Sequence, residues 1–407
     1  MRYVRYYLVL TCLMRPGTLT SKIATPPSRR DLLLAWLAAT GAAGRLPADT
    51  APAIPGKRPM ILHNDRPEDL ETPVSYFNTW LTPNDVFFVR QHLPRPKVDE
   101  ASYRLTIDGR VSKKLQLTVA DLRKLRQYTV PATLECTGDG RGFFRPRVPG
   151  VQWMRGAIGN AEWTGPRVSD VLKLAGADLN AAYLDANGAD VGPAKTPDFI
   201  RSLHMQKMLH PASIIALEMN HEPLPDLHGF PARLIVPGWD GTNWVKWLTT
   251  LSVASEPNNG FFMNPAYRFP KHAVAPGTPA NPADLEIIES MPVKSYVTAP
   301  EDQQRVPAAP LTVRGIAWAG EKQIARVDVS TDAGRHWSAA QLSGKNLPFA
   351  WRLWSFDWTP PQPGYYTLMS RATDYSGNVQ PVAATWNPSG YLYNAIDRIG
   401  VMVEKSS

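Results

Sequence analysis

Apolar and polar positions alternate with period two over residues 311–317, 324–330, 337–342, 351–358 and 365–373. Turns rich in Gly, Asn and Pro separate these runs. Such spacing predicts short antiparallel strands and an immunoglobulin-like β-sandwich over 285–405. Upstream the texture is mixed. Residues 103–107, 129–134, 214–219, 233–236 and 251–254, with a run around 183, read as strands. Residues 87–92 read as another, which places Arg90 and His92 on one face. Helical spacing is confined to short windows at 71–80, 119–126, 168–175 and 197–208. Thr118 predicts the N-cap of the second window, and Gly176 stops the third. A proline-rich connector covers 255–284. The expected class is α+β: a mixed α/β domain over 54–280, followed by the sandwich.

One window is apolar throughout. Residues 32–43 follow Ser28-Arg29-Arg30-Asp31 and lead into small residues that end near Ala53. This pattern predicts a leader over residues 1–53 carrying a twin-arginine export signal, and hence a periplasmic protein. The run is too short to span a bilayer; an interfacial helix is the alternative. Nothing downstream predicts a membrane span. Twin-arginine export carries folded proteins, which implies a cofactor inserted before export. The leader also accounts for most of the charge. The whole chain of 407 residues carries +8, and residues 1–53 hold seven basic and two acidic side chains. The remainder is too weakly basic, and too poor in basic runs, to predict nucleic-acid binding.

The chain has two cysteines. Cys12 falls in the leader, so Cys136 stands alone in the expected mature chain. It follows a β-type run and precedes a turn with three glycines in five residues that also holds Arg141. A strand fixes such a cysteine, and the glycines let a large group approach it; a small buried core residue is the plain alternative. Zinc is disfavoured, because the eight histidines are scattered and no second cysteine is near. A cysteine hydrolase would need a base such as His228. A soft-metal thiolate beside an oxyanion pocket would need arginines, and Arg90, Arg141, Arg155 and Arg233 are available.

Three motifs then occur in order: Phe87 to His92; Glu135-Cys136 to Arg141; and His228 to Arg233, with Val236-Pro237-Gly238 and Val245 to Leu248. Together with Arg326 to Ser330 and Ala350 to Trp354, they resemble the sulfite oxidase family of molybdenum enzymes over roughly residues 60–400. Among its members, the bacterial periplasmic sulfite dehydrogenases are most similar. The resemblance implies a molybdopterin-binding catalytic domain with the sulfite oxidase fold, then an immunoglobulin-like dimerisation domain. It implies molybdenum held by molybdopterin, with Cys136 as the one protein thiolate on the metal. Arg90, Arg141 and Arg352 would hold a substrate dianion against Trp153, with Tyr267, Arg90 and Arg141 as the catalytic set. His92, Asp190, His228, Arg233 and Lys246 would grip the pterin and its phosphate. On residue type alone, Arg352 could stack between Trp351 and Trp354, Trp153 could be core, Lys246 a solvated charge and Tyr267 a loop anchor. Asp139 replaces the family's usual Asn and is expected to weaken the local positive potential. No haem motif is present, so electrons would leave to an external cytochrome c or a haem subunit, in a homodimer or a heterodimer. The implied activity is oxidation of sulfite to sulfate. A sulfane dehydrogenase, a sulfoxide reductase and a non-catalytic exported binding protein are the alternatives.

Overall fold

The computed structural model describes residues 54–405. The leader, with Arg29, Arg30 and Cys12, lies outside the described residues. In the first half, in chain order, the strands are β1 (Ile61–Asp65), β2 (Glu68–Glu71), β3 (Leu105–Gly109), β4 (Leu115–Leu117), β5 (Tyr128–Glu135), β6 (Ile158–Gly165), β7 (Tyr183–Gly188), β8 (Arg201–His204), β9 (Ile214–Ala216), β10 (Glu218–Met219), β11 (Glu222–Pro223), β12 (Arg233–Ile235) and β13 (Leu248–Ala254). The helices are short: α1 (Val119–Lys124), α2 (Val168–Leu174) and α3 (Met205–Met208). Thr118 caps α1 with a reciprocal box to Asp121. Gly176, at φ 57°, follows α2.

Two larger sheets dominate this half, beside the two-stranded pairs β1-β2 and β9-β12. One has the order β4-β3-β13-β7-β8; the other is β11-β10-β6-β5. Their inward faces share one core containing Leu105, Leu134, Trp163, Leu184, Ile215 and Leu251. The connector then forms β14 (Arg268–Pro270) and β15 (Leu285–Ile287). The remaining strands are β16 (Lys294–Ala299), β17 (Gln304–Pro307), β18 (Leu311–Trp318), β19 (Ile324–Ser330), β20 (Ser338–Ala339), β21 (Gln341–Ser343), β22 (Arg352–Trp358), β23 (Gly364–Asp374) and β24 (Asp397–Glu404). They form two sheets, β16-β18-β22-β21 and β17-β24-β23-β19-β20, with Val313, Val327, Trp354, Leu368 and Val401 in their common core. This is the expected sandwich. A third cluster, with Phe77 and Ile158 from the first half and Tyr296, Trp318 and Trp351 from the second, fills the junction. No helix among the described residues is long and apolar enough to cross a membrane.

Three local expectations change. Residues 87–92 are not a strand. Val89 exchanges both backbone hydrogen bonds with Leu70 at 2.9 Å, but the Gln91 N–H then goes to the Asp69 carboxylate at 3.2 Å, so the ladder stops. The window 197–208 is half strand: residues 201–204 pair with the edge of β7, and only Met205–Met208 turn as a helix. Residues 71–80 hold one 3-10 turn at Val74–Tyr76. Strand β16 escaped the sequence pattern because it buries Lys294, Ser295 and Thr298 along with its apolar residues.

Glu71 ties the segment before β6 in place. Its buried carboxylate accepts backbone N–H bonds from Met154, Arg155 and Gly156 at 3.0–3.1 Å. Glu71→Ala should therefore leave three backbone donors without their partner and cost at least about 3 kcal/mol. A lowered thermal midpoint in the purified variant would show it; an unchanged midpoint would mean that water replaces the carboxylate.

Candidate active site

Strand β5 delivers Cys136 to the meeting point of two cavities. The inner cavity is lined by Arg90, Gln91, His92, Cys136, Asp190, Phe199, His228, Arg233, Lys246 and Tyr267, among others. The outer cavity is lined by Arg90, Cys136, Gly138, Arg141, Gly150, Tyr267, Ser389 and Tyr391. Arg90, Cys136 and Tyr267 thus face both spaces.

Arg90 is oriented by Asp69, at 3.0 Å. Burial opposes its charge, but Tyr267, Asp69 and Cys136 outweigh that and raise its pKa. Arg141 comes from the glycine-rich turn. Its Nε donates to Ser389 O and its Nη1 to Val151 O, both at 3.0 Å, and the guanidinium lies over the Tyr391 ring. Three glycines from three segments close around it. A Cβ on Gly138 would lie 2.7 Å from the guanidinium, one on Gly150 2.9 Å from Nη1, and one on Gly390 2.8 Å from Cγ. Here the glycines are needed for close approach. Tyr267 sits at φ 57°, stacks on Tyr391 and bonds through its hydroxyl to His92 Nε2. Burial raises the Tyr267 pKa. Burial, then the nearby cations, hold His92 well below its ordinary value, so the pair stays neutral. Burial also pushes the Cys136 thiol up to about 11, against the pull of Arg90 and Arg141.

Several expected residues lie elsewhere. Arg352 lines neither cavity: it sits on β22 and donates to Ser343 O at 3.2 Å. Arg155 is paired with Asp397 at 2.8 Å, away from Cys136. Trp153 is fully buried, edge-on to His63, and walls neither cavity. The expected effect of Asp139 also changes. It is buried and points into the second half of the molecule, where Lys294 Nζ meets it at 2.8 Å and offsets part of its charge. Sequence reading missed Tyr391 and Ser389, which arrive from a loop about 250 residues downstream with no motif of their own. It also missed Asp69, Gln91 and Lys57; Lys57 Nζ lies 2.7 Å from His228 Nε2.

Residues 92–262 match the oxidoreductase molybdopterin binding domain, and residues 285–404 the Mo-co oxidoreductase dimerisation domain. The chain is 34% identical to mitochondrial sulfite oxidase of Rattus norvegicus, over 86% of this chain and 67% of that protein. It is 36% identical to sulfite oxidase of Gallus gallus, over 87% and 83%, and 33% identical to that of Arabidopsis thaliana, over 85% and 94%. The chain belongs to the sulfite oxidase family. Among solved structures, the sulfane dehydrogenase SoxCD from Paracoccus pantotrophus superposes with a TM-score of 0.74 at 29% identity, over 92% of this chain and 96% of that one. A member of this family is a molybdopterin-dependent oxidoreductase.

The inner cavity fits that cofactor. Arg233 Nε is buried with no hydrogen-bond partner among the described residues, as are both amide atoms of Gln91. Burial alone lowers Arg233 to about 9. Burial and then Arg233 lower Lys246 to about 7, with Asp190 opposing. Buried cations so short of counter-charge are a receptor for an anion. A pH dependence follows. Below about pH 7 the cofactor-free protein must hold a buried Lys246 cation; between about pH 7 and 10 the unfolded chain binds a proton that the folded one has released, so stability rises with pH. An anion in the cavity relieves the same cost at low pH. Sulfate should therefore raise the thermal midpoint of cofactor-free protein more near pH 6 than near pH 9, and Lys246→Met should remove the difference. Equal gains at both pH values would count against an anion receptor here.

Proposed function

We propose that the protein oxidises sulfite to sulfate in the periplasm and passes the two electrons, one at a time, to an external cytochrome c or a haem subunit. The observation that carries this reading is the junction of the two cavities at Arg90, Cys136 and Tyr267. A cofactor in the inner space and an oxyanion in the outer space would meet at the sulfur. When bound, the cofactor supplies oxygen-atom transfer and takes up the electrons, with water as the source of the oxygen.

The chain's own residues do the rest. Cys136 serves as metal ligand. Its buried thiol is neutral in the free protein, so metal binding must displace the proton. His92, Asp190, His228, Arg233 and Lys246 grip the pterin and its phosphate. Arg141 offers the outer cavity its Nη2, since Nε and Nη1 are committed to carbonyls. Arg90 completes the oxyanion site with a second guanidinium fork. Tyr267, held protonated by burial, would offer its hydroxyl to a substrate oxygen in the outer cavity. The twin-arginine leader supports export, and the dimerisation domain supports a homodimer or a heterodimer with a cytochrome.

A second reading, sulfane-sulfur oxidation, is favoured by one observation. With Arg352 elsewhere, two guanidiniums face the outer cavity, and Asp69 partly neutralises one of them. A less positive mouth suits a sulfur carried on a larger, less charged group, and the structural neighbour at 29% identity is a sulfane dehydrogenase.

Purified enzyme assayed with sulfite, and separately with a persulfide, should show the higher kcat/KM for sulfite with cytochrome c as acceptor. Turnover with the persulfide alone would establish the second reading. Arg141→Met should raise the KM for sulfite by about tenfold or more, with a smaller change in kcat. Arg352→Met should leave kcat/KM within about twofold, because the side chain touches neither cavity. A large loss in the Arg352 variant would contradict the placement described here.

A further inference from the structure

The residues on either side of Cys136 point away from both cavities and into the second half of the molecule. There they close on one ammonium. Lys294 is fully buried. Its Nζ donates to Glu135 Oε1 at 2.7 Å, to Asp139 Oδ2 at 2.8 Å and to the Asp139 backbone carbonyl at 3.2 Å. The two carboxylates accept further bonds as well. Trp318 Nε1 donates to Glu135 Oε2 at 2.7 Å. Tyr296 donates to Asp139 Oδ2 at 2.6 Å, and the Ala157 N–H to Asp139 Oδ1 at 3.0 Å. Burial opposes the charge on Lys294, yet Asp139 and Glu135 outweigh it and raise its pKa.

Glu135 and Asp139 bracket the cysteine at one residue before and three after. Lys294 and Tyr296 lie on β16, and Trp318 ends the neighbouring strand β18. The turn between the carboxylates is tight, with the Asp139 N–H bonded to Cys136 O at 2.8 Å. A shift at Lys294 therefore moves the sulfur, because few free torsions lie between the clasp and Cys136.

We propose that Lys294 is a positioning residue that sets the place of the Cys136 sulfur from within the dimerisation domain. The proposal rests on Cys136 as the metal's sulfur ligand. A residue that orients a ligand from outside the coordination shell commonly changes metal affinity or activity by about 10- to 100-fold. A plain domain staple would instead change stability and leave the sulfur–metal geometry alone.

Removing the lysine alone would strand two buried carboxylates, and that variant risks not folding. Two double variants reduce the problem to the single carboxylate of Glu135. Asp139→Asn with Lys294→Gln keeps a neutral hydrogen bond across the contact; Asp139→Asn with Lys294→Met removes it. The two have the same charge, and both leave Glu135 with its Trp318 donor, so comparing them isolates the bridge. Each is purified as holoenzyme and read by molybdenum content, by the visible cysteine-sulfur-to-molybdenum charge-transfer band, and by kcat and KM. The Gln pair should keep the wild-type band and a kcat within about threefold. The Met pair should show a shifted or weakened band and a kcat lower by about tenfold or more, with KM changed much less. Molybdenum loading by the Gln pair and none by the Met pair would also support the proposal. The same band and kcat in both variants would overturn it, as would equal failure of both to fold or to load metal. A wild-type enzyme without the band would instead show that Cys136 is not the ligand, a separate failure.

Discussion

The loop that carries Cys136 is fixed by charge buried on its hidden side. Two carboxylates and one ammonium lie out of water among Tyr296, Trp318 and the backbone of Ala157. Breaking a buried pair by removing one partner typically costs about 3–5 kcal/mol, so this contact strongly resists change. Its consequence lies on the other face of the turn, where the sulfur is held still between two cavities. The second half of the molecule thus reaches into the site itself. It supplies the clasp under the turn, the Ser389 carbonyl that aims Arg141, and the Tyr391 ring against Tyr267.

The same logic runs with opposite sign in the inner cavity. There Arg233 and Lys246 are buried with too little counter-charge, and their lowered pKa values record that cost. A folded protein keeps such groups when a ligand supplies the missing charge. The complementary surfaces therefore divide the labour: compensated charge beneath Cys136 gives rigidity, and uncompensated charge beside it gives affinity for an anionic cofactor.

Much of this was legible in the sequence, for identifiable reasons. Strand alternation in the sandwich is local, so β18, β19 and β22 were placed almost residue for residue. The glycine-rich turn with Arg141 and the His228–Arg233 segment are contiguous motifs; the structure places the first at the outer cavity and the second at the inner one. The failures are non-local. Strand β16 carries a buried lysine whose partners are more than 150 residues away in sequence, so its pattern looked irregular. Arg352 was assigned by resemblance to a motif, but pairing of β22 with β21 brings it to Ser343. Asp139 looked like a liability because nothing near it in sequence reveals Lys294. Residues 87–92 lost their strand to a single side-chain acceptor, Asp69.

The central claim is that Cys136 places its sulfur on the metal at the meeting point of the two cavities. X-ray absorption at the molybdenum edge tests this most directly, by counting the sulfur neighbours of the metal in holoenzyme and in a metal-loaded Cys136→Ser variant. The account predicts one sulfur fewer in the variant, with an oxygen or nitrogen in its place. An unchanged sulfur count would contradict it.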